Sequence, residues 1–129
     1  MNKLQRFEDI IASQKARALT KDVYAATKVG LFMKDYGLKD QIQRSSVSTM
    51  ANIAEGFERG GDKEFIQFLS NSKGSCGEVR SHLYVAFDQE YIPQNIFDEF
   101  SRGFAWNSKC YSTEIRVGLC NLKTIEFLL

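Results

Sequence analysis

The residues whose types and spacing come closest to supporting chemistry are Glu78 and His82. They are four residues apart in a segment with helical periodicity, so their side chains share one helix face. A di-iron helix bundle needs two Glu-x-x-His motifs and two further glutamates that face inward, whereas the chain has one histidine. The spacing therefore predicts a simple pair of side chains on a helix and no metal site.

The other reactive groups are equally isolated. Cys76, Cys110 and Cys120 are odd in number and lack metal-binding spacing, which predicts buried thiols that pack as small apolar groups. The segment "GGDKEF" lacks the Gly-Lys-Ser/Thr ending of a phosphate-binding loop. No nucleophile with a neighbouring base can be read from the sequence. We expect no enzymatic activity, no cofactor and no small-molecule substrate.

The composition is that of one helical domain spanning residues 1–129. Hydrophobic residues make up 43% of the chain and there is one proline, which is typical of a mainly helical chain that buries a core. The start, "MNKLQRFEDI", lacks the apolar region of a signal peptide, and no apolar run reaches the roughly 18 residues of a membrane span. We expect a cytoplasmic protein without membrane contact. The net charge of +1 predicts no strong overall attraction to nucleic acid.

Apolar residues recur at helical spacing in four segments, which predicts an all-α fold. These segments run from about Phe7 to Met33, Leu38 to Phe57, Lys63 to Glu90 and Pro93 to Phe127. Their apolar stripes are, in chain order, Ala12, Ala16, Leu19, Val23, Ala26 and Gly30; Leu38, Ile42, Ser46, Thr49, Ile53 and Phe57; Phe65, Leu69, Ser72, Cys76, Val79, Leu83 and Phe87; and Ile96, Phe100, Phe104, Tyr111, Gly118, Leu122 and Ile125. Because short connections make neighbouring helices antiparallel, the expected fold is an antiparallel up-down-up-down four-helix bundle.

Local signals predict where these helices end. Gly37 is expected to stop the first helix in a left-handed conformation. Gly60 and Gly61 break the second helix, and Asp62 is expected to cap the third. Pro93 suits the first turn of the fourth helix.

Two stripes of short polar residues run beside the apolar ones. On the second helix the stripe is Gln41, Arg44, Ser48, Asn52, Glu55 and Arg59; on the third it is Gln67, Asn71, Gly74, Ser75, Glu78 and His82. Amides and hydroxyls are poor helix formers on an open surface, and a mid-helix glycine costs about 1 kcal/mol relative to alanine. These stripes predict a packed polar seam or a subunit interface, with close helix packing at Gly74; solvated faces are the alternative.

The segment from Gln41 to Ala86, "QIQRSSVSTMANIAEGFERGGDKEFIQFLSNSKGSCGEVRSHLYVA", resembles the bacterial four helix bundle protein family. Founding members of that family are encoded in intervening sequences of 23S ribosomal RNA genes. The resemblance rests on Q-x-x-R at Gln41, S-x-x-x-N-I-A-E-G from Ser48, E-F-x-x-F-L from Glu64 and K-G-S-x-x-E from Lys73. It covers about a third of the chain closely.

The resemblance implies an antiparallel four-helix bundle that assembles with itself into a homopentameric ring. It extends in architecture to the accessory proteins of diversity-generating retroelements, which bind nucleic acid and contact a reverse transcriptase. Those proteins are strongly basic and this chain is nearly neutral. The family brings no catalytic residue to carry over. The leading interpretation is therefore a non-enzymatic oligomeric scaffold or accessory protein associated with ribosomal RNA or another nucleic acid.

The alternative function is direct binding of RNA or DNA through the first helix. A basic stripe lies on the face away from its apolar residues, formed by Arg17, Lys21, Tyr24 and Lys28. Phosphate contact requires a row of cations of this kind. A solvated outer face has the same composition, and the chain carries no recognition motif of the established nucleic-acid-binding folds.

Overall fold

The computed structural model of the chain describes residues 5–117, with side-chain surroundings through residue 112. It contains four α-helices, which are α1 (Ile11–Ala26), α2 (Tyr36–Glu58), α3 (Asp62–Asp88) and α4 (Gln94–Val117). Short 3-10 turns at Phe7–Asp9 and Phe32–Lys34 flank α1 where one longer helix was predicted. The described residues include no strand. The prediction of an all-α four-helix bundle is confirmed.

Each helix packs against its neighbour along the chain, and α1 also packs against α4, which closes the bundle. Thr20 Oγ1 donates a hydrogen bond of 3.0 Å to the carbonyl oxygen of Ser46. About two turns further along, at the C-cap of α1, Thr27 Oγ1 accepts a hydrogen bond from Gln43 Nε2 at 2.9 Å. Residue numbers therefore fall along α2 as they rise along α1, which is consistent with the predicted up-down-up-down order.

The core is formed by the predicted apolar stripes. All six stripe positions of α2 are buried, as are those of α3 except the half-buried Phe87. In α1 the stripe is buried from Ala12 to Val23, and in α4 it includes Phe100, Phe104 and Tyr111. The predicted positions Gly118, Leu122 and Ile125, like Cys120, lie outside the described residues. Of the helices in the described ranges, none is both long and apolar enough to cross a membrane.

The start of α2 differs from the prediction. Gly37 lies inside α2, and the left-handed residue of this connection is Gly30, with φ of 59°. Asp35 caps the helix, since its Oδ1 accepts a 3.1 Å hydrogen bond from the backbone N–H of Leu38. Because the Asp35 side chain satisfies a backbone donor of the first turn, it sets the start of α2, and Gly37 does not stop a helix there.

The connections around α3 follow the predictions to within one residue. Gly60 makes the turn after α2 with φ of 83°. Gly61 is the N-cap of α3, so the prediction that Asp62 is the cap is wrong; Asp62 is the first helical residue. Pro93 lies immediately before α4, and its carbonyl oxygen accepts the N–H of Phe97 at 3.0 Å.

The end of α3 is a Schellman motif built on an unusual residue. Glu90 has φ of 62°, in the left-handed region that glycine prefers. The N–H of Tyr91 donates to the carbonyl oxygen of Ala86 at 2.8 Å, and that of Glu90 to the carbonyl oxygen of Phe87 at 2.9 Å. Tyr91 then stacks on Phe32 with ring centroids 5.3 Å apart, so the two loops at this end of the bundle are joined.

Helices approach most closely at two glycines. A Cβ added to Gly56 of α2 would lie 2.6 Å from Cβ of Phe68, and one added to Gly103 of α4 would lie 2.5 Å from Cδ2 of Leu19. Gly74 is exposed, and a Cβ there would meet no atom within 4 Å. The prediction of close packing at Gly74 is therefore wrong within one chain, because that position faces outward from the bundle.

Candidate interaction surfaces

The polar stripe of α2 lies on the surface of the single chain. Ser48 and Asn52 are half-buried, and the other four members are exposed. Its hydrogen bonds stay within the helix, since Asn52 Nδ2 donates to the carbonyl oxygen of Ser48 at 2.8 Å. Arg59 Nη2 lies 2.9 Å from Glu55 Oε1, and this hydrogen bond is the main reason that the pKa of Arg59 is raised. Arg44 pairs with Asp40 in the same way at 2.9 Å.

The polar stripe of α3 is also a surface feature. Gln67 Nε2 donates to Asn71 Oδ1 at 3.3 Å, again one turn apart. The predicted pair of Glu78 and His82 is present, with 3.8 Å between Oε2 and Nε2. Although His82 Nε2 is buried, it has no hydrogen-bond partner among the described residues. A buried polar atom without a partner is uncommon and calls for an explanation.

The two stripes border the same helix pair. Arg59 Nη1, at the end of the α2 stripe, lies 3.6 Å from Glu64 Oε2 on α3, and its guanidinium lies 4.9 Å from the ring centroid of Phe68. Helical geometry places both stripes on the outer side of the contact between Gly56 and Phe68. We call this combined surface the α2–α3 face. It is not a seam buried inside one chain, and its role between chains stays a prediction.

The predicted basic stripe lies on the surface, with Arg17, Lys21 and Tyr24 on α1 and Lys28 two residues beyond its end. Arg17, Lys21 and Lys28 are exposed, and Tyr24 is half-buried among them. The stripe lies on the side of α1 towards α2. Arg17 borders a groove with Met50 of α2. Near the other end, Thr27 Oγ1 donates to the carbonyl oxygen of Tyr24 and accepts a hydrogen bond from Gln43 of α2. Among the described residues, none of the three cations forms an ion pair.

The polar group that organises the core is one that sequence reasoning missed. Asn107 on α4 is fully buried, and its Nδ2 donates to the carbonyl oxygen of Ala12 on α1 at 3.0 Å. The hydroxyl of Tyr111 lies 2.7 Å from Asn107 Oδ1 and 3.1 Å from the carbonyl oxygen of Thr49 on α2. On α3, the Cys76 thiol donates to Asn107 Oδ1 at 3.5 Å. We call these groups the Asn107 hub, since it joins all four helices.

A sequence signal for the hub does exist. Asn107 falls between Phe104 and Tyr111 in the apolar stripe of α4, at the spacing of three and four residues that places all three on one face. An amide at a predicted core position needs hydrogen-bond partners. The signal shows that Asn107 is buried but not which groups it meets, because those groups come from three other helices.

The two described cysteines behave as structural thiols, as the sequence predicts. Cys76 and Cys110 are both buried, and neither forms a disulfide bond within the described residues. Burial, with a smaller contribution from Cys110, raises the pKa of the Cys76 thiol to about 12, against the opposing effect of Arg80. A thiol with this pKa is almost fully protonated at neutral pH, and the thiolate is the nucleophilic form. No group of three or more His, Cys, Asp or Glu residues in the described ranges could hold a metal ion.

One carboxylate outside these surfaces, that of Asp35, changes the pKa of a neighbouring tyrosine. The hydroxyl of Tyr91 donates to Asp35 Oδ2 at 2.9 Å. This hydrogen bond, more than desolvation, raises the pKa of Tyr91. The contact serves the loop structure, since Asp35 also caps α2.

With these surfaces defined, the family can be assigned. The model of the 23S rRNA-intervening sequence protein family matches residues 8–109, which is most of the chain. The chain belongs to this family. The match includes α1, α2, α3 and most of α4, so it extends well beyond the segment on which the sequence resemblance rests. The family description names no reaction.

A solved structure supports the fold of this family member. It is the crystal structure of a protein of unknown function from the S23 ribosomal protein family of Bacteroides thetaiotaomicron VPI-5482. The two chains share 21% sequence identity with a TM-score of 0.76, over 81% of this chain and 98% of that chain. At this identity the similarity establishes the fold alone. The search of curated proteins found no match.

Proposed function

We propose that this chain is a non-enzymatic scaffold subunit that assembles with itself through the α2–α3 face into a homopentameric ring. The ring would act as an accessory to ribosomal RNA or another nucleic acid. The observation that carries the proposal is the composition of that face. It combines exposed amides and Gly74 with half-buried serines, contains no lysine, and has Arg44, Glu55, Arg59 and Glu78 as its exposed charges. Membership of the 23S rRNA-intervening sequence protein family makes ribosomal RNA the first nucleic acid to test.

The α2–α3 face lowers the stability of a single chain. Gly74 disfavours its helix by about 1 kcal/mol relative to alanine, and no neighbouring atom within 4 Å requires a glycine there. A second chain packed on this face would supply hydrogen-bond partners to the exposed amides of Gln41, Gln67 and Asn71. It would also explain why a large side chain is absent at position 74.

The test is to place a bulky charged residue at Gly74. In Gly74→Arg the single chain keeps its fold, because the position is open and arginine is a better helix former than glycine. We expect the wild-type mass, measured by light scattering on a sizing column, to be about five times that of the 14.7 kDa chain. The variant should lose this mass and keep its helical circular dichroism signal.

Gly77 offers a matched control, since it is an exposed glycine on the same helix, outside the stripe, with equally open space. Gly77→Arg should keep the wild-type mass. A monomeric wild type, or a Gly74→Arg variant with unchanged mass, would overturn the proposed interface.

The second candidate function is nucleic-acid binding through the basic stripe. It is favoured by the absence of ion pairs on Arg17, Lys21 and Lys28 within the described residues, which leaves these cations available to phosphates. Arg17→Glu with Lys21→Glu should abolish the fluorescence anisotropy change of a labelled structured RNA. The control Lys63→Glu with Lys73→Glu makes the same change in net charge on α3. RNA binding should also weaken steeply as the salt concentration rises, because phosphate contacts release counterions. An equal loss of RNA affinity in the stripe variant and in the α3 control would indicate attraction by net charge alone.

A further inference from the structure

A second exposed stripe on α1 has a charge pattern that is complementary to itself. It consists of Ile11, Lys15, Ala18, Asp22 and Ala25, at alternating steps of four and three residues, all exposed. This spacing keeps one line of side chains along a helix. The stripe lies on the α4 side of α1, away from the basic stripe, because Lys15 and Asp22 border grooves with residues of α4.

The two charges of this stripe are unsatisfied in the single chain. Neither Lys15 nor Asp22 forms an ion pair or a side-chain hydrogen bond with the described residues. They are seven residues apart, about 10 Å along the helix axis, with Ala18 close to the midpoint. If a second α1 helix is laid antiparallel across this point, each lysine meets the aspartate of the other copy.

The surface beside the stripe has a groove at the position along the helix where Ile11 of an antiparallel second copy would lie. A groove of about 400 Å³ between α1 and the start of α4 is lined mainly by apolar side chains, including Ala25, Ala26, Ile96 and Phe100. Ile11, at the other end of the stripe, is 38% exposed. Since Ile11 is as far from the midpoint as Ala25 and Ala26, an antiparallel second copy brings its Ile11 to this groove.

The neighbouring part of α4 extends the same surface. A second groove of about 430 Å³ is lined by Lys15, Glu99, Arg102, Gly103 and Trp106. Trp106 is 37% exposed, and large aromatic and arginine side chains are enriched in protein interfaces.

We propose that this α1–α4 surface binds a second copy of the chain, with α1 packed antiparallel on α1 of the partner and Ala18 at the two-fold axis. A contact of this kind is isologous, so one self-complementary patch is sufficient for a closed dimer. It would use two Lys15–Asp22 ion pairs, related by the axis, and the apolar contacts of Ile11. This surface is separate from the α2–α3 face and does not depend on it.

The test uses charge reversal and its rescue. Sedimentation velocity is run over a concentration series in the Gly74→Arg background, which removes any assembly through the α2–α3 face. The expected mass is twice that of the 14.7 kDa chain. Lys15→Glu or Asp22→Lys alone should raise the dimer dissociation constant about tenfold, because two ion pairs become two like-charge contacts.

Mixing distinguishes this arrangement from a loss of general affinity. A Lys15→Glu chain paired with an Asp22→Lys chain recovers both ion pairs, so the equimolar mixture should associate with near wild-type affinity while each variant alone does not. The chain with both changes should also dimerise. Lys21→Glu, on the other side of α1, serves as the control and should leave the dissociation constant unchanged.

Three results would overturn the proposal. The first is a monomeric mass of the Gly74→Arg chain at the highest concentration. The second is an unchanged dissociation constant in Lys15→Glu and Asp22→Lys. The third is an equimolar mixture of these two variants that associates no more tightly than either variant alone. Failure of the α2–α3 interface would instead appear as an unchanged mass on introducing Gly74→Arg into the wild type.

Discussion

The Asn107 hub and the α2–α3 face both contain amides and hydroxyls, but the hub groups are buried between helices and the face groups lie on the surface. In the hub, the amide of Asn107 and the hydroxyl of Tyr111 lie near acceptors on α1 and α2 that are more than sixty residues away in sequence. On the face, Asn52, Arg59 and Gln67 bond to residues four positions away on their own helices. The hub bonds therefore join all four helices, whereas these face bonds lie within single helices, and the exposed ion pair of Arg59 with Glu64, at 3.6 Å, links α2 to α3 at the edge of the face. The face leaves its outward side available for another molecule.

The largest expected effect breaks the hub. Asn107→Ala removes the donor to the carbonyl oxygen of Ala12 and the acceptor of the Cys76 thiol, and it leaves a cavity in the core, so the free energy of unfolding should fall by about 3 kcal/mol. Asn52→Ala, the matched change on the face, should lower it by less than about 1 kcal/mol. Urea denaturation at a concentration where the chain is monomeric measures both. Similar losses would show that the two regions do not differ in this way.

The next prediction compares Gly56, at the contact between α2 and α3, with Gly74 on the exposed α2–α3 face. Gly56→Ala forces a methyl group towards Cβ of Phe68, which is held by its backbone, and should destabilise the fold by about 2 kcal/mol. Gly74→Ala enters open space and should stabilise the single chain by about 1 kcal/mol through helix propensity. Thermal unfolding under monomeric conditions should show shifts of opposite sign. A loss of stability at Gly74 would mean that its surroundings are not open.

A smaller effect concerns strain at the surface. Glu90 occupies a left-handed conformation after α3, so Glu90→Gly should raise the free energy of unfolding by about 1 kcal/mol. Glu90→Ala keeps a Cβ and should bring no comparable gain. Chemical denaturation of the three proteins measures the difference. Equal stability of the glycine and alanine variants would exclude backbone strain as the cause.

The last effect is the pH dependence of the hub thiol, which is absent at neutral pH and appears only under alkaline conditions. The folded pKa of Cys76, about 12, exceeds the ordinary value of 9.0, so its contribution to stability is complete below pH 9 and is lost as pH rises towards 12. Cys76→Ala should show a shallower loss of unfolding free energy over this alkaline range. Parallel curves for the two proteins would contradict a buried, protonated thiol.

The candidate surfaces were predictable only in part. Each stripe can be assembled from spacing along one helix, which places Asn52 and Ser75 in lines of polar residues. Whether those lines lie inside or outside the bundle depends on where the next helix packs. Gly74 illustrates the difference, since its mid-helix position indicated close packing and the structure places it at the surface.

Sequence alone determined the number of α-helices, the approximate ends of α2 and α3 and most of the buried positions, because each depends on periodicity and capping within a short stretch of chain. Tertiary structure alone decided that Gly56 and Gly103 lie at the close crossings, that Asn107 meets all four helices, and that the stripes of α2 and α3 border one face. These features depend on how helices are placed relative to one another. That placement results from side-chain packing across the core, which no single segment encodes.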